Sequence, residues 1–202
     1  MSSRSGDIRE KAGPAAPRVH LNAGQSALFG YGSLLSMPSL ERTLGRTYVG
    51  PFLRCALPGW RRTWDAAMPN STFYAETADG KVYPERILYL NIRPDPQTQL
   101  SGVLFVVDPE DLANFDKREW IYRREEISDL LNGVVEGGPA YVYVCKSEHC
   151  LTAVGSPRQA AVRASYVQIV ENGLSSHGND FRSAYEQSSD PVPQRLVIQD
   201  RS

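Results

Sequence analysis

Two carboxylates occupy positions where a helix is expected to be apolar. The segment that starts at Asp108 predicts a helix whose inward face is marked by Leu112 and Phe115, three residues apart. Asp116 and Glu119 continue this series at i+4 and i+7, so both side chains are expected on that face. A buried carboxylate is costly unless it is paired, but desolvation raises its pKa toward the range that general acid–base catalysis uses.

A purely structural explanation of these carboxylates stays open. Glu119 lies at the predicted end of the helix, where its side chain can turn into solvent, and Asp116 can pair with Arg123 or Arg124. If those arginines faced Glu119, they would lower its pKa. The catalytic interpretation therefore requires that they point elsewhere or bind Asp116.

The second unusual stretch is Gly30-Tyr31-Gly32-Ser33, at the end of a predicted strand over 27–31. A dinucleotide fingerprint requires a third glycine, a phosphate loop requires Gly-Lys-Ser/Thr, and a nucleophile elbow requires a glycine two residues after the serine. None of these residues is present. Small residues at a strand end still let backbone N–H groups approach a ligand closely. A tight turn that binds nothing is the alternative.

The remaining pattern predicts strands followed by helices, which is typical of an α+β fold. A short helix is expected to end at Gly45, and a later helix at Gly173. The other predicted elements are strands at 86–92 and 101–107 with a loop over 93–100 between them, strands at 121–127 and 140–145, helices over 158–172 and 180–187, and a mostly irregular tail after Asp190.

The composition is that of a globular protein without a strong charge bias. Of the 202 residues, 41% are hydrophobic, and 22 basic against 23 acidic side chains give a net charge of −1. This balance gives no reason to expect nucleic acid or a membrane surface as a partner, and the adjacent Arg61 and Arg62 are expected on a solvated edge. No apolar run approaches the roughly 18 residues that a membrane helix needs.

The N-terminal residues 1–25 are rich in Ser, Gly, Pro, Ala and charge, and they predict a disordered tail before a single domain over 26–202. The three cysteines, Cys55, Cys145 and Cys150, are an odd number for a disulfide framework, and we expect free thiols in a reducing cytosol. His149 beside Cys150 suggests a metal site, but the C-x-x-C spacing is absent, so no metal is predicted.

Five ordered segments of the chain resemble the gamma-glutamylcyclotransferase family. They are FGYGSLL, GVLFVV, LANFDKREWIYRREEI, AYVYV and SYVQIVENGL, and together they extend over 27–174. The resemblance implies an α+β fold in which a small mixed β-barrel is flanked by helices.

The same resemblance implies a site for a gamma-glutamyl group. Glu119 matches the catalytic glutamate of the family, and the loop backbone would bind the amino acid end of the substrate. Leu34 stands where members most like the free gamma-glutamyl amino acid enzyme have asparagine. The implied substrate-binding residues are Tyr31, Gly32, Ser33, Leu34, Tyr122 and Tyr143.

The implied reaction is cyclisation of a gamma-glutamyl amide or peptide to 5-oxoproline, without a cofactor, in the cytoplasm. Glu119 would act first as general base and then as general acid. There are three alternatives. The first is a related acyl transfer or hydrolysis on the same scaffold, and the second is a non-catalytic protein that binds a metabolite. The third is an interaction module that uses the surface near Trp60 and Trp64. The leaving amine and the oligomeric state stay open.

Overall fold

The computed structural model describes residues 18–78 and 80–202. The strands of this part are β1 Val19–His20, β2 Ser26–Gly30, β3 Phe52–Pro69, β4 Tyr74–Thr77, β5 Gly80–Val82, β6 Arg86–Val107, β7 Tyr122–Glu126, β8 Val135–Glu136, β9 Ala140–Cys145, β10 Ala160–Arg163, β11 Val197–Ile198 and β12 Asp200–Arg201. The α-helices are α1 Met37–Leu44, α2 Pro109–Arg118, α3 Ala164–His177 and α4 Asn179–Gln187. None of these helices is long and apolar enough to cross a membrane.

A mixed seven-stranded sheet organises the fold. Its order is β11-β10-β6-β2-β9-β7, and β3 also pairs with β6. The central strand β2 is buried at every residue, as its apolar sequence requires, and it runs antiparallel to β6 and parallel to β9. The predicted α+β class is confirmed. Of the predicted mixed barrel, the sheet and its flanking helices are present, but within the described ranges no strand pairing closes the sheet into a barrel.

The predicted loop over 93–100 is wrong, because β6 continues through it. The strand pairs with β3 on both sides of an irregularity, with Trp60 opposite Pro94 and Pro58 opposite Gln99. Proline cannot donate to a ladder and is tolerated at such bulges. On β3, Gly59 turns the chain there with a φ of 82°. The prolines therefore bend a long hairpin and do not end it.

The predicted first helix is confirmed as α1, which ends at Gly45 in the left-handed conformation, with a φ of 68°. Helix α2 begins after Asp108, as predicted, with Pro109 as its first residue. The Asp108 carboxylate does not cap a backbone amide; it accepts a hydrogen bond of 3.0 Å from the side chain of Gln25. Glu119 follows the last helical residue and lies at the C-cap position.

The predicted helix over 158–172 is shifted. Residues 160–163 form β10, and α3 runs on through Gly173 to His177. This glycine is needed for packing and not for termination, because a Cβ placed on it would lie 2.8 Å from the carbonyl carbon of Leu35. The following helix, α4, is confirmed.

The described residues near each end of the chain are more structured than predicted. Of the predicted tail, residues 1–17 lie outside the described residues. The strand β1 pairs with β8, and Val19 and Leu21 are buried, so residues 18–25 belong to the fold. At the other end, β11 pairs with β10 and β12 with β4, which corrects the predicted irregular tail.

Candidate active site

The loop after β2 is held in place through both the side chain and the backbone of Tyr31. The Tyr31 hydroxyl donates a hydrogen bond of 2.7 Å to the carbonyl oxygen of Tyr143, and the Tyr31 carbonyl accepts one of 2.7 Å from Nε of Arg62. The chain then turns through Gly32 into a short 3-10 segment, Ser33–Leu35. The loop is thus fixed by contacts from β9 and β3 before any ligand is considered.

Three backbone amides of this loop have no acceptor in the described part of the chain, those of Gly32, Ser33 and Leu34. The first N–H groups of a helical turn lack intrahelical acceptors. All three residues line a small chamber of about 40 Å³. A Cβ on Gly32 would lie 3.0 Å from the Tyr166 hydroxyl, so glycine permits the close approach of loop and helix.

Glu119 lies at the mouth of this chamber with its side chain only 17% exposed. Burial raises the pKa of its carboxyl above the ordinary value, and the neighbouring Arg118 guanidinium, with Nε 3.2 Å from a carboxylate oxygen, acts in the opposite direction. Among the residues that line the chamber, Glu119 is the one carboxylate. It is therefore the lining group that can exchange a proton in the acidic to neutral range.

Buried tyrosines form much of the remaining wall. The Tyr122 hydroxyl donates a hydrogen bond of 2.8 Å to the Leu90 carbonyl, and the Tyr143 hydroxyl donates one of 2.7 Å to Asp116. Burial raises the pKa of Tyr31, Tyr122, Tyr143 and Tyr166 well above the usual value. These phenols stay neutral at physiological pH and act as fixed donors and apolar walls.

A wider cleft of about 300 Å³ adjoins the chamber at Glu119. It also contains three arginines, Arg42, Arg118 and Arg163. Arg163 lies over the ring of Phe73, which precedes the β4–β5 hairpin, and its NH1 is 3.6 Å from Asp200. The cleft therefore has several arginines in its lining beside Glu119.

Arg118 connects α1, the loop and Glu119. Its guanidinium donates to Oγ of Ser33 at 2.9 Å and to the Ser39 carbonyl at 3.3 Å, and it also bonds the Thr43 hydroxyl. These contacts keep the cation beside Glu119 while most of its donors are used elsewhere. Arg118 therefore compensates the negative charge of Glu119 only in part.

The similarity of this chain to known proteins is found in its structure and not in its sequence. No family model matches the chain, and no curated protein matches its sequence. A human protein described as uncharacterized superposes with a TM-score of 0.56 at 14% identity, covering 84% of this chain and 90% of that one. A gamma-glutamyl cyclotransferase superposes with a TM-score of 0.55 at 13% identity, again over 84% and 90% of the two chains. This chain has the gamma-glutamyl cyclotransferase fold.

The cyclotransferase fold brings together every site residue that the sequence predicts. One chamber is lined by Tyr31, Gly32, Ser33, Leu34, Glu119, Tyr122 and Tyr143. They come from the β2 loop, the end of α2, β7 and β9, so residues far apart in sequence meet around one carboxylate. Their roles in binding and catalysis stay predictions.

The predicted burial of Asp116 is wrong. Its side chain is 44% exposed and pairs with Arg124 at 2.6 Å, which is one of the partners that the sequence predicted. Arg123 pairs instead with Glu125. Neither arginine forms an ion pair with Glu119 in the described structure, as the catalytic interpretation requires. The arginine that does so, Arg118, was not predicted.

Other contributors to the cyclotransferase-fold site were also missed. Arg62, expected on a solvated edge, is wholly buried behind the loop. Tyr166, on α3, lines both the chamber and the cleft. Its spacing to the buried residues Val170 and Leu174 marks the inward face of the helix, and this signal could have identified it.

The alternative surfaces that the sequence suggested are less distinctive. Trp60 and Trp64 are partly buried and pack against the core, so they do not form an exposed apolar patch.

The three cysteines are free thiols, as predicted.

Proposed function

We propose that this protein cyclises a gamma-glutamyl amide to 5-oxoproline, with Glu119 as the catalytic acid and base. The observation that carries the proposal is the placement of one raised-pKa carboxylate between three unpaired loop amides and an open cleft. The named gamma-glutamyl cyclotransferase of the same fold supports the reaction class.

In this proposal the head group of the substrate lies against the loop. Its α-carboxylate accepts hydrogen bonds from the amides of Gly32, Ser33 and Leu34, and the amine to be expelled points into the cleft. The γ-carbonyl then lies beside Glu119, where chamber and cleft meet. Holding the flexible chain in this folded form can supply up to about 7–11 kcal/mol of the barrier, because attacker and acceptor are already in one molecule.

The bonding changes require only proton transfers. Glu119 takes a proton from the α-ammonium, the freed nitrogen attacks the carbon of the γ-carbonyl group, and the carbonyl electron pair moves to oxygen. The pair returns, the bond to the leaving nitrogen breaks, and Glu119 delivers a proton to that nitrogen. The attacking nitrogen loses its second proton to solvent, and the released amine takes its second proton from solvent. Overall two protons leave the attacking nitrogen and two reach the leaving nitrogen, so the products are a lactam and an ammonium.

The direct experiment incubates purified protein with glutathione, gamma-glutamyl dipeptides and gamma-glutamyl amines, and measures 5-oxoproline by mass spectrometry. The proposal expects lactam from at least one compound. Free glutamate in place of lactam would show hydrolysis, in which water replaces the α-amine. Binding of a compound with neither product would favour a protein that only binds a metabolite.

Arg118→Gln is expected to move the acidic limb of the kcat/KM profile to higher pH. The base must be ionised, and Arg118 lowers the pKa of Glu119, so removing the cation raises that pKa further. The measurement is kcat/KM against pH for wild type and variant. Arg118→Lys is the control, since it retains the charge and should keep the limb near its original position. A limb at the same pH in the Gln variant would exclude Arg118 as an electrostatic partner.

The cationic cleft predicts selectivity for the leaving group. Arg42 is exposed and forms no ion pair within the described residues, and Arg163, which pairs with Asp200 through NH1, lines the same cleft. A leaving amine that carries a carboxylate is therefore expected to react with about tenfold higher kcat/KM than its neutral amide, the scale of one charge-assisted hydrogen bond.

Gamma-glutamyl-alanine and gamma-glutamyl-alaninamide provide the matched pair for this test. Arg42→Gln and Arg163→Gln should each reduce the preference for the acid while changing the rate on the amide little. Equal rates on the two compounds with wild-type protein would contradict the predicted selectivity and leave the cyclisation itself unaffected.

A further inference from the structure

Arg62 is a buried cation without an acidic partner among the described residues. It lies on β3 with no exposed surface, and its guanidinium stacks over the Tyr185 ring at 3.9 Å. It donates only to neutral oxygens: the Tyr31 carbonyl at 2.7 Å, Oγ of Ser189 at 2.5 Å, the Tyr185 carbonyl at 3.4 Å and the Ser101 carbonyl. Burying a charge without a counterion is costly, so packing alone does not explain why an arginine occupies this position behind the loop.

The bond to Tyr31 determines the direction of the next amide. The Tyr31 carbonyl and the Gly32 N–H belong to one planar trans peptide, in which the two groups point in opposite directions. Because Arg62 holds the carbonyl from behind, the Gly32 N–H is directed to the other side of the loop. Gly32 lines the chamber, and its amide has no protein acceptor in the described part.

The same contact strengthens that amide as a donor. A hydrogen bond to a carbonyl polarises the whole peptide group, and the effect is larger when the donor is charged. The positive charge also acts through a poorly solvated interior, where its attraction for an anion is weakly screened. An anion in the chamber would thus supply the negative charge that Arg62 lacks.

We propose that Arg62 is a positioning residue that orients and polarises the Tyr31–Gly32 peptide to bind the α-carboxylate of the substrate. The proposal rests on the proposed function for the identity of the anion. It assigns Arg62 no contact with the substrate, only control of the loop amide that makes the contact.

The kinetic test compares Arg62→Gln with wild type on a gamma-glutamyl amide and on its α-carboxamide analogue, which keeps the attacking amine. The variant is expected to raise KM for the carboxylate substrate about tenfold, the scale of one hydrogen bond to a charged group, with kcat nearly unchanged. The carboxamide should show little change. An equal loss on both substrates, or a loss in kcat alone, would overturn the assignment.

Ser189→Ala is the matched control. It removes one acceptor of the guanidinium but leaves the charge and the bond to Tyr31. A merely structural role predicts the same kinetic defect in Ser189→Ala and Arg62→Gln, whereas the proposal predicts near-normal KM in Ser189→Ala. If Arg62→Gln does not fold, Arg62→Lys takes its place, with a smaller rise in KM because the charge remains.

A second readout does not depend on turnover. In the ligand-free protein the NMR amide resonance of Gly32 is expected to move in Arg62→Gln or Arg62→Lys and to stay in place in Ser189→Ala, because that resonance responds to the hydrogen bond on the preceding carbonyl. An unmoved resonance would overturn the positioning role even if the enzyme is active. If the resonance moves in the Arg62 variant while the wild-type protein forms no lactam, the result would support the positioning role and reject the proposed reaction.

Discussion

Replacing Glu119 by glutamine is expected to lower turnover by about 10²–10⁴-fold, the usual contribution of a general acid–base group. Glutamine preserves the size and hydrogen-bonding shape of the side chain but cannot take a proton from the α-ammonium. The chamber offers no substitute, because its other ionisable lining groups are tyrosines whose pKa values burial raises. The measurement is the rate of lactam formation at saturating substrate.

The same substitution should not destabilise the protein at neutral pH. Burial raises the folded-state pKa of Glu119, so the ionised form is disfavoured in the folded protein. The stability linked to its protonation is present below the unfolded-state pKa and is lost as pH rises through the folded-state pKa. Denaturant unfolding at several pH values should therefore show wild type losing stability relative to Glu119→Gln as pH increases.

Glu110→Gln is the control for this experiment. Glu110 lies in the exposed first turn of the same helix, α2, and the change removes a carboxylate of the same type. It should leave turnover near the wild-type rate. An active Glu119→Gln protein, or an equal loss in both variants, would reject Glu119 as the catalyst.

Gly173→Ala is expected to reduce turnover by about 10²-fold, although alanine is the better helix former. In an exposed helix interior the change would stabilise by about 1 kcal/mol. Here the new Cβ would lie 2.8 Å from the Leu35 carbonyl carbon and 2.9 Å from the Ser36 nitrogen, and backbone atoms cannot rotate away. Either α3 or the loop after β2 must move, and a displacement of about 1 Å near a reacting centre can cost about 10²-fold.

The unfolding free energy of the Gly173 variant should also fall, by about 1–3 kcal/mol, as overpacking usually costs. Asn172→Ala is the matched control, because it places alanine at the adjacent, exposed position of the same helix. Circular dichroism, denaturant unfolding and turnover should separate the two variants. Normal activity in Gly173→Ala would show that the α3–loop contact does not determine the geometry of the site.

The residues that the sequence predicts for the site meet around one chamber, whereas several elements around them differ from the prediction. The glycine loop and Glu119 stand out locally, as small residues at a strand end and a carboxylate in line with an apolar helix face, and the resemblance to the cyclotransferase family adds their expected roles. The same reasoning failed for Asp116, which the helix geometry turns outward to Arg124. A four-residue series defines a face only broadly, and it cannot tell the edge of that face from its centre.

Long-range contacts account for most of the remaining errors. Prolines at 94 and 96 predict a loop, but the pairing of β6 with β3 keeps the strand continuous through them. Gly173 resembles a helix terminator, but glycine is needed there because α3 packs against the backbone of Leu35, more than a hundred residues earlier in the chain. Arg62 resembles a surface charge because its four acceptors come from distant segments. None of these partners is visible in the local sequence.

The most direct test of the central claim is mass spectrometry of the products that wild type and Glu119→Gln form from one panel of gamma-glutamyl compounds. The proposed function predicts 5-oxoproline and the free amine in equal amounts from wild type, and a loss of both in the variant. Lactam formed equally by both proteins would contradict the role of Glu119. The absence of lactam with wild type for every compound would contradict the proposed reaction itself.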